Sequence, residues 1–311
     1  MIPLLWKSNK VIMKKFFIYL LFIAAVNSCV QVNESPEMNL EKNIRAKLNK
    51  VQGFFAVAFK NLNTGDTLYI NADESFHAAS TMKTPVMIEV YKQAAAGLFS
   101  IEDSIEVKNE FLSIVDGSPY SMDISDDSEP ELYKKIGSRL PIRDLVIPMI
   151  THSSNLAANI LIDMVDAKNV TASMRQLGAM KIEVLRGVED IKAFESGMSN
   201  TTTARDLQII MESLAKKTAG SEESCNEMLD ILLQQSFNEI IPAKLPKSTE
   251  VAHKTGSITG VQHDSGIVYL PDGTVYIIVL LSKELENPNE GIAALAEVSS
   301  LIYEYVVKEN N

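Results

Sequence analysis

Strand signals bracket this chain, and helical periodicity fills what lies between. Residues 54–59 (Phe-Phe-Ala-Val-Ala-Phe) are rich in aromatic and β-branched types, Asn63-Thr64-Gly65-Asp66 reads as a turn, and Thr67-Leu68-Tyr69-Ile70 as the returning strand. Past Lys254 the period of two comes back: runs at 266–270 and 275–281 flank Pro271-Asp272-Gly273-Thr274, a turn signal. Apolar residues at Leu40, Ile44, Leu48 and Val51, closed by Gly53, predict a helix before the first strands. Ile292, Leu295, Ile302 and Val306 predict another at the C-terminal end. From Pro85 to about Pro246 the spacing is helical, at 143–151, 155–165, 170–177 and 203–216. Thr203 with Asp206 reads as a capped start and Gly178 as a helix stop. Strands and a helix at both termini can form one antiparallel sheet packed by the two terminal helices, with the helical block inserted as a second lobe. The expected class is therefore α/β (α+β). A long polar stretch, 111–138, interrupts the block, and a loop of that length in a compact domain is usually functional or mobile.

The chain has 311 residues, 46% of them hydrophobic and 22% charged, enough for one large domain or two small ones. A net charge of −11 with no basic stripe argues against nucleic-acid binding. Lys14-Lys15, an apolar run at 16–26 and Asn27-Ser28-Cys29 match a secretory signal, with Met13 as an alternative start. That run is too short to span a membrane. Cys29 directly after it suggests lipidation, so residues 1–29 are expected to be a signal peptide with a lipobox, and 30–37 a tether. The expected product is exported, periplasmic, monomeric and held at a membrane by its lipid. Cys225 is then the only cysteine left, cannot form an internal disulfide, and reads as a small buried hydrophobe. His77, His152, His253 and His263 contain no close pair, so neither a zinc site nor any other cofactor is expected.

Three short motifs carry the chemistry. In Ser80-Thr81-Met82-Lys83 a hydroxyl and an amine stand three residues apart, on one face if helical. A neutral lysine so placed can take the serine proton during attack on a carbonyl. The same spacing recurs at Ser213-Leu214-Ala215-Lys216, within an amphipathic helix, and is read there as surface. Only Ser80 is followed by Ser153-Ser154-Asn155 and then Lys254-Thr255-Gly256-Ser257.

With these three elements in this order, residues 38–309 resemble the class A β-lactamases and the wider penicillin-recognising serine hydrolases. The resemblance implies a β-lactamase-like fold, Ser80 as the acylated nucleophile and Lys83 as a neutral base or proton relay. It implies that Ser153 passes a proton to the leaving nitrogen and that Asn155 binds the substrate's side-chain amide. Lys254 and Thr255 would bind a substrate carboxylate, Gly256 would let the substrate backbone approach, and the Ser257 and Ser80 N–H groups would form an oxyanion hole. In Arg186-Gly187-Val188-Glu189-Asp190 the resemblance makes Glu189 the activator of the hydrolytic water, with Asp190 and Glu195 as rivals. The chain departs from the family's pattern where Ser154 replaces an aspartate, implying altered hydrogen bonding around that motif. Ala193 replaces an asparagine, Asn200 replaces the aspartate that pairs with the loop arginine, and no arginine follows Arg205. The implied activity is β-lactam hydrolysis on a β-lactam or peptidoglycan-peptide-like substrate. A penicillin-binding-type DD-peptidase or esterase-like hydrolase with slow deacylation is the alternative, and a non-catalytic binding lipoprotein the third reading.

Overall fold

The computed structural model describes residues 36–309. Cys29, the signal segment and residues 30–35 of the expected tether lie outside them. Residues 39–311 form one compact unit. Helix α1 (Pro36–Leu48) starts at Pro36, so the last two residues of the expected tether are helical.

Five strands form the main sheet: β1 (Phe54–Asn61), β2 (Thr67–Ile70) and, much later in the chain, β9 (Glu250–Ile258), β10 (Val261–Tyr269) and β11 (Val275–Lys283). Their order is β2-β1-β11-β10-β9, with every neighbouring pair antiparallel. Pairing β1 with β11 joins the N-terminal and C-terminal strands, at Ala58 opposite Val279 and Phe59 opposite Ile278. The period of two sorts the side chains: Phe55, Val57, Phe59, Ile278 and Leu280 face one core, and Ala56, Ala58, Ile277 and Val279 face the other. The first core is covered by Leu40, Ile44 and Leu48 of α1 and by Leu295, Ile302 and Val306 of the last helix, Pro288–Glu309. Burying each such leucine or isoleucine contributes about 1.5–3 kcal/mol. Ile44→Asp would instead leave an unpaired charge there.

The intervening residues build the second lobe from α2 (Lys83–Ala95), α3 (Pro130–Tyr133), α4 (Ile142–Thr151), α5 (Asn155–Val165), α6 (Ala167–Leu177), α7 (Ile191–Glu195), α8 (Ala204–Ala215) and α9 (Glu222–Leu232). Helix α2 is buried on every side from Val86 to Tyr91, its one charged residue there, Glu89, accepting from the Ser173 hydroxyl and Gln93. The expected capping signals are in place: Thr203 accepts from the Asp206 N–H at 3.0 Å, and Gly178 ends α6 with φ +97°. Three two-stranded ribbons complete the lobe: β3 (Phe76–His77) with β8 (Thr201–Thr202), β4 (Ser104–Glu106) with β7 (Arg139–Pro141), and β5 (Phe111–Leu112) with β6 (Pro119–Tyr120). The 111–138 stretch is thus ordered structure: the β5–β6 ribbon, a 3₁₀ turn at Ile124–Asp126 and α3.

Ser213 is not a surface residue. It is buried in α8, where its hydroxyl donates to the Ile210 carbonyl at 2.7 Å, and Lys216 pairs with Glu212 at the surface. That back-bond occupies the hydroxyl with its own helix. Cys225 is fully buried in the lobe core.

Candidate active site

A cleft of about 780 Å³ is lined by Ser80, Ser153, Asn155, Glu189, Thr255 and Ser257 among others. Ser80 lies in a 3₁₀ turn, Ala79–Met82, that leads into α2. With three residues per turn, positions i and i+3 eclipse, so Ser80 and Lys83 share a side more closely than in an α-helix. The turn is pinned from outside. The Ala79 N–H donates to His77 Nδ1 at 3.0 Å, the Ala78 N–H to the Asn200 carbonyl at 2.8 Å, and His263 Nε2 to the His77 carbonyl at 2.9 Å. His263 Nδ1 accepts from the Ser282 N–H at 3.2 Å. Burial pushes the His263 pKa down to about 4, so the ring is neutral, as these bonds require.

Among the described residues seven non-glycine residues have positive φ, and three of them flank or form the cleft: Ala79 at +45°, Ser153 at +57° and Glu189 at +62°. Such backbone costs about 1–3 kcal/mol each and collects at functional sites. Ser153 is held this way because the Ser154 N–H donates back to the Pro148 carbonyl at 3.0 Å while Asn155 starts α5.

Two lysines converge on Ser153. Lys83 Nζ contacts the Ser153 carbonyl at 2.6 Å, Asn155 Oδ1 at 2.8 Å and Ser153 Oγ at 3.3 Å. Lys254 Nζ donates to Ser153 Oγ at 3.1 Å and to the Thr255 carbonyl at 2.9 Å. Complete burial, then the charge of Lys254, hold the Lys83 pKa well below the usual lysine range. Burial lowers Lys254 to about 7, opposed by the Asp264 carboxylate. A neutral Lys83 spends both N–H groups on the Ser153 carbonyl and Asn155 Oδ1, leaving its lone pair free. Lys254 donates to Ser153 Oγ from the other side, so the Ser153 hydroxyl lies between the two amines. The result is a buried amine one turn after Ser80, in contact with the Ser153 hydroxyl.

Lys254, Thr255, Gly256 and Ser257 lie on β9, the sheet edge facing the Ser80 turn. A Cβ at Gly256 would sit 3.1 Å from the Ser80 nitrogen and 3.2 Å from both Ala79 Cβ and Thr81 Cγ2. Glycine is needed here for the approach of β9 to the nucleophile's own N–H, not only for a ligand. His253 and His263 are structural: His253 Nδ1 bonds the buried Asp264 at 2.9 Å, and His263 holds the Ser80 turn.

Glu189 is gripped on both sides. Asn159 of α5 accepts from the Val188 N–H at 2.6 Å and donates to the Val188 carbonyl at 2.9 Å. Asp190 caps α7 through the Ala193 N–H at 3.1 Å and accepts from Ser113 Oγ at 2.8 Å and the Ile114 N–H at 2.9 Å. Asp190 is therefore committed to structure, and Glu195 is exposed at the end of α7 and does not line the cleft. Burial raises the Glu189 pKa; Asp126, Asp127 and Asp123 add to the rise, while a backbone hydrogen bond from Asp123 opposes it. The loop neck closes without an ion pair to position 200. Asn200 Oδ1 accepts from the Leu185 N–H at 2.8 Å, its Nδ2 donates to the Arg186 carbonyl at 3.0 Å, and the Arg186 guanidinium donates to the Met198 and Gly187 carbonyls, each at 2.9 Å.

This arrangement can be compared with known proteins. The family model described as "Beta-lactamase enzyme family" matches residues 39–306. The chain belongs to that family. It is 26% identical to Beta-lactamase VEB-1 from Pseudomonas aeruginosa, over 96% of this chain and 99% of the relative. Among solved structures, a β-lactamase from Sphaerobacter thermophilus DSM 20745 superposes with a TM-score of 0.73 at 25% identity, covering 85% of this chain and 95% of that one. PBP-A superposes with a TM-score of 0.75 at 26% identity, covering 87% and 96%. The family's motif residues expected from the sequence, Ser80, Lys83, Ser153, Asn155, Glu189, Lys254, Thr255, Gly256 and Ser257, come together around one cleft. Sequence reasoning passed over His77, which holds the Ala79 N–H two residues on, and Asn159 and Asp127, which act through atoms far from them in the chain. Asn159 had one available signal, its position one helical turn after Asn155.

Proposed function

We propose that this chain hydrolyses the amide of β-lactams through an acyl-enzyme on Ser80. The observation that carries the reading is the pair of fully buried lysines, Lys83 and Lys254, meeting at Ser153 beside the Ser80 turn. Ser80 Oγ attacks the lactam carbonyl, and Lys83 takes its proton through the free amine lone pair. The oxyanion forms against the N–H groups of Ser80 and Ser257. The proton then moves from Lys83 to Ser153, and Ser153 protonates the departing nitrogen as the C–N bond breaks. Lys254 and Thr255 receive the substrate carboxylate, and Asn155 the acylamino group. Glu189 takes a proton from water, the hydroxide attacks the ester, and Ser80 leaves with a returned proton. No metal or cofactor is needed in these steps. Purified protein is mixed with nitrocefin: sustained turnover that disappears in Ser80→Ala supports the reading, and a single-equivalent burst followed by a stable acyl-enzyme sinks it in favour of a penicillin-binding peptidase.

Export and lipid anchoring at Cys29, with residues 1–29 as the signal, belong to the same proposal and are supported by the apolar run and cysteine at its end. Periplasmic placement follows from that anchor. The protein is proposed to act as a monomer, since one chain supplies every group named in the mechanism. Palmitate labelling lost in Cys29→Ala tests the anchor, and light scattering the oligomeric state.

A further inference from the structure

We propose that Asp127 is a positioning residue for the Ser153–Asn155 turn, supplying from the 111–138 segment the carboxylate that position 154 lacks. This rests on the acylation chemistry proposed for Ser80. Asp127 is buried, although it belongs to a polar stretch far from the motifs in sequence. Its Oδ2 accepts from the Leu156 N–H at 2.7 Å, from the Ser154 hydroxyl at 3.4 Å and from the Tyr133 hydroxyl at 3.1 Å. Its Oδ1 accepts from the Glu129 N–H at 3.0 Å, which fixes the carboxylate's own orientation. Ser154 in turn accepts from the Ala157 N–H at 3.2 Å. The unpaired amides at the start of α5 are thus shared: Ser154 takes Ala157, and Asp127 takes Leu156. A negative charge at that end of α5 is also favoured by the helix dipole.

The clamp reaches the chemistry in one step. The residue before Asp127 accepts, through its carbonyl, from Asn155 Nδ2 at 3.3 Å. The step Asp126–Asp127 therefore grips Asn155 and Leu156 together. Asn155 Oδ1 and the Ser153 carbonyl are the two acceptors that orient Lys83. Releasing the start of α5 lets both acceptors move, and with them the Lys83 lone pair. The same carboxylate acts through space on Lys83 and on Glu189.

The test is a set of four variants, Asp127→Ala, Asp127→Asn, Ser154→Asp and the double Asp127→Ala/Ser154→Asp. Acylation by nitrocefin is read by stopped flow, and folding by thermal melts. Losing a charge-assisted bond of this kind lowers acylation by about 10–100-fold in Asp127→Ala. Ser154→Asp alone also slows acylation, because two carboxylates then meet across a 3.4 Å contact. Placed in the Asp127→Ala background, the same substitution restores at least part of the rate. That reversal shows that one carboxylate at this end of α5 is required, and the pH limb in Asp127→Asn is the readout a merely structural cap would not move. Asp127→Asn keeps an acceptor but removes charge. Glu189 faces Lys83, Asp123, Asp126, Asp127 and the hydroxyls of Tyr120 and Tyr133. Removing one of those carboxylates lowers its pKa, so the acidic limb of kcat moves to lower pH in Asp127→Asn. If Asp127→Ala does not fold, that limb decides, and an unmoved limb overturns the assignment. A folded Asp127→Ala that acylates at the wild-type rate overturns it, as does a double variant slower than Asp127→Ala. Wild type is measured alongside: if it takes up no β-lactam the proposed function fails, whereas a fully active wild type matched by Asp127→Ala removes only Asp127's role.

Discussion

Gly256→Ala puts one methyl group between β9 and the nucleophile. The new Cβ lies 3.1 Å from the Ser80 nitrogen and 3.2 Å from Ala79 Cβ and Thr81 Cγ2. None of these neighbours is a flexible side-chain end, so backbone must give by a few tenths of an ångström. Ala79 already sits at φ +45° with its N–H tied to His77, and Ala78 before it is tied to the Asn200 carbonyl, which leaves little freedom to absorb the shift. The displaced group is the Ser80 N–H, one of two proposed oxyanion donors. Removing such a donor outright costs about 10²–10³ in rate, so a partial displacement is expected to cost about 10–100-fold in acylation. Overpacking of this kind costs about 1–3 kcal/mol. For a domain of this size that lowers Tm by about 2–10 °C. Stopped-flow acylation by nitrocefin and a thermal melt measure both. A variant that loses stability but acylates within twofold of wild type would refute the claim that β9 sets the oxyanion donor. Rates unchanged in both would show that the turn relaxes freely.

Two further outcomes follow from burial. Lys254 keeps its proton only below about 7, so KM for a carboxylate-bearing β-lactam rises as pH climbs through that value. Lys254→Met is expected to bind weakly with a flat profile, and a wild-type KM unchanged from pH 6 to 9 contradicts the assignment. His263 is neutral in the fold down to about 4, whereas an unfolded histidine protonates near 6.5. The unfolded chain then binds more protons between those values, and stability is lost as pH falls, by at most about 1.4 kcal/mol per pH unit from this one group. Denaturant titrations from pH 7 to 4 should show a shallower decline in His263→Gln, whose amide can serve both His77 and Ser282; an equal decline removes His263 as the cause.

The parts of the site legible from sequence are those whose chemistry is local. Ser80 and Lys83 share one turn, Ser153 and Asn155 share another, and Lys254 to Ser257 lie along one strand. The sheet was legible for the same reason, because alternation in β1 and β11 is a property of each strand by itself. What escaped depends on distant partners. Asp127 reads as one acid in a polar loop until α5 is brought against it. Asn200 looks like a broken ion pair with Arg186 until its amide is seen to close the loop neck through backbone groups. Ser213 looks solvent-facing because its helix is amphipathic, yet it is buried and its hydroxyl bonds back to the Ile210 carbonyl. The short ribbons, such as β5 with β6, have two or three residues per strand and are too brief to show a period.

The central claim is that Ser80 carries the acyl group and Glu189 releases it. Intact-mass measurement of Glu189→Gln mixed with penicillin tests both halves at once. Removing a general base slows its step by about 10²–10⁴-fold. The variant should therefore gain the mass of one penicillin per chain within seconds, hold it on a peptide containing Ser80, and turn over at a small fraction of the wild-type rate. A Glu189→Gln protein that hydrolyses penicillin as fast as wild type, or that carries the adduct on any residue other than Ser80, contradicts the account.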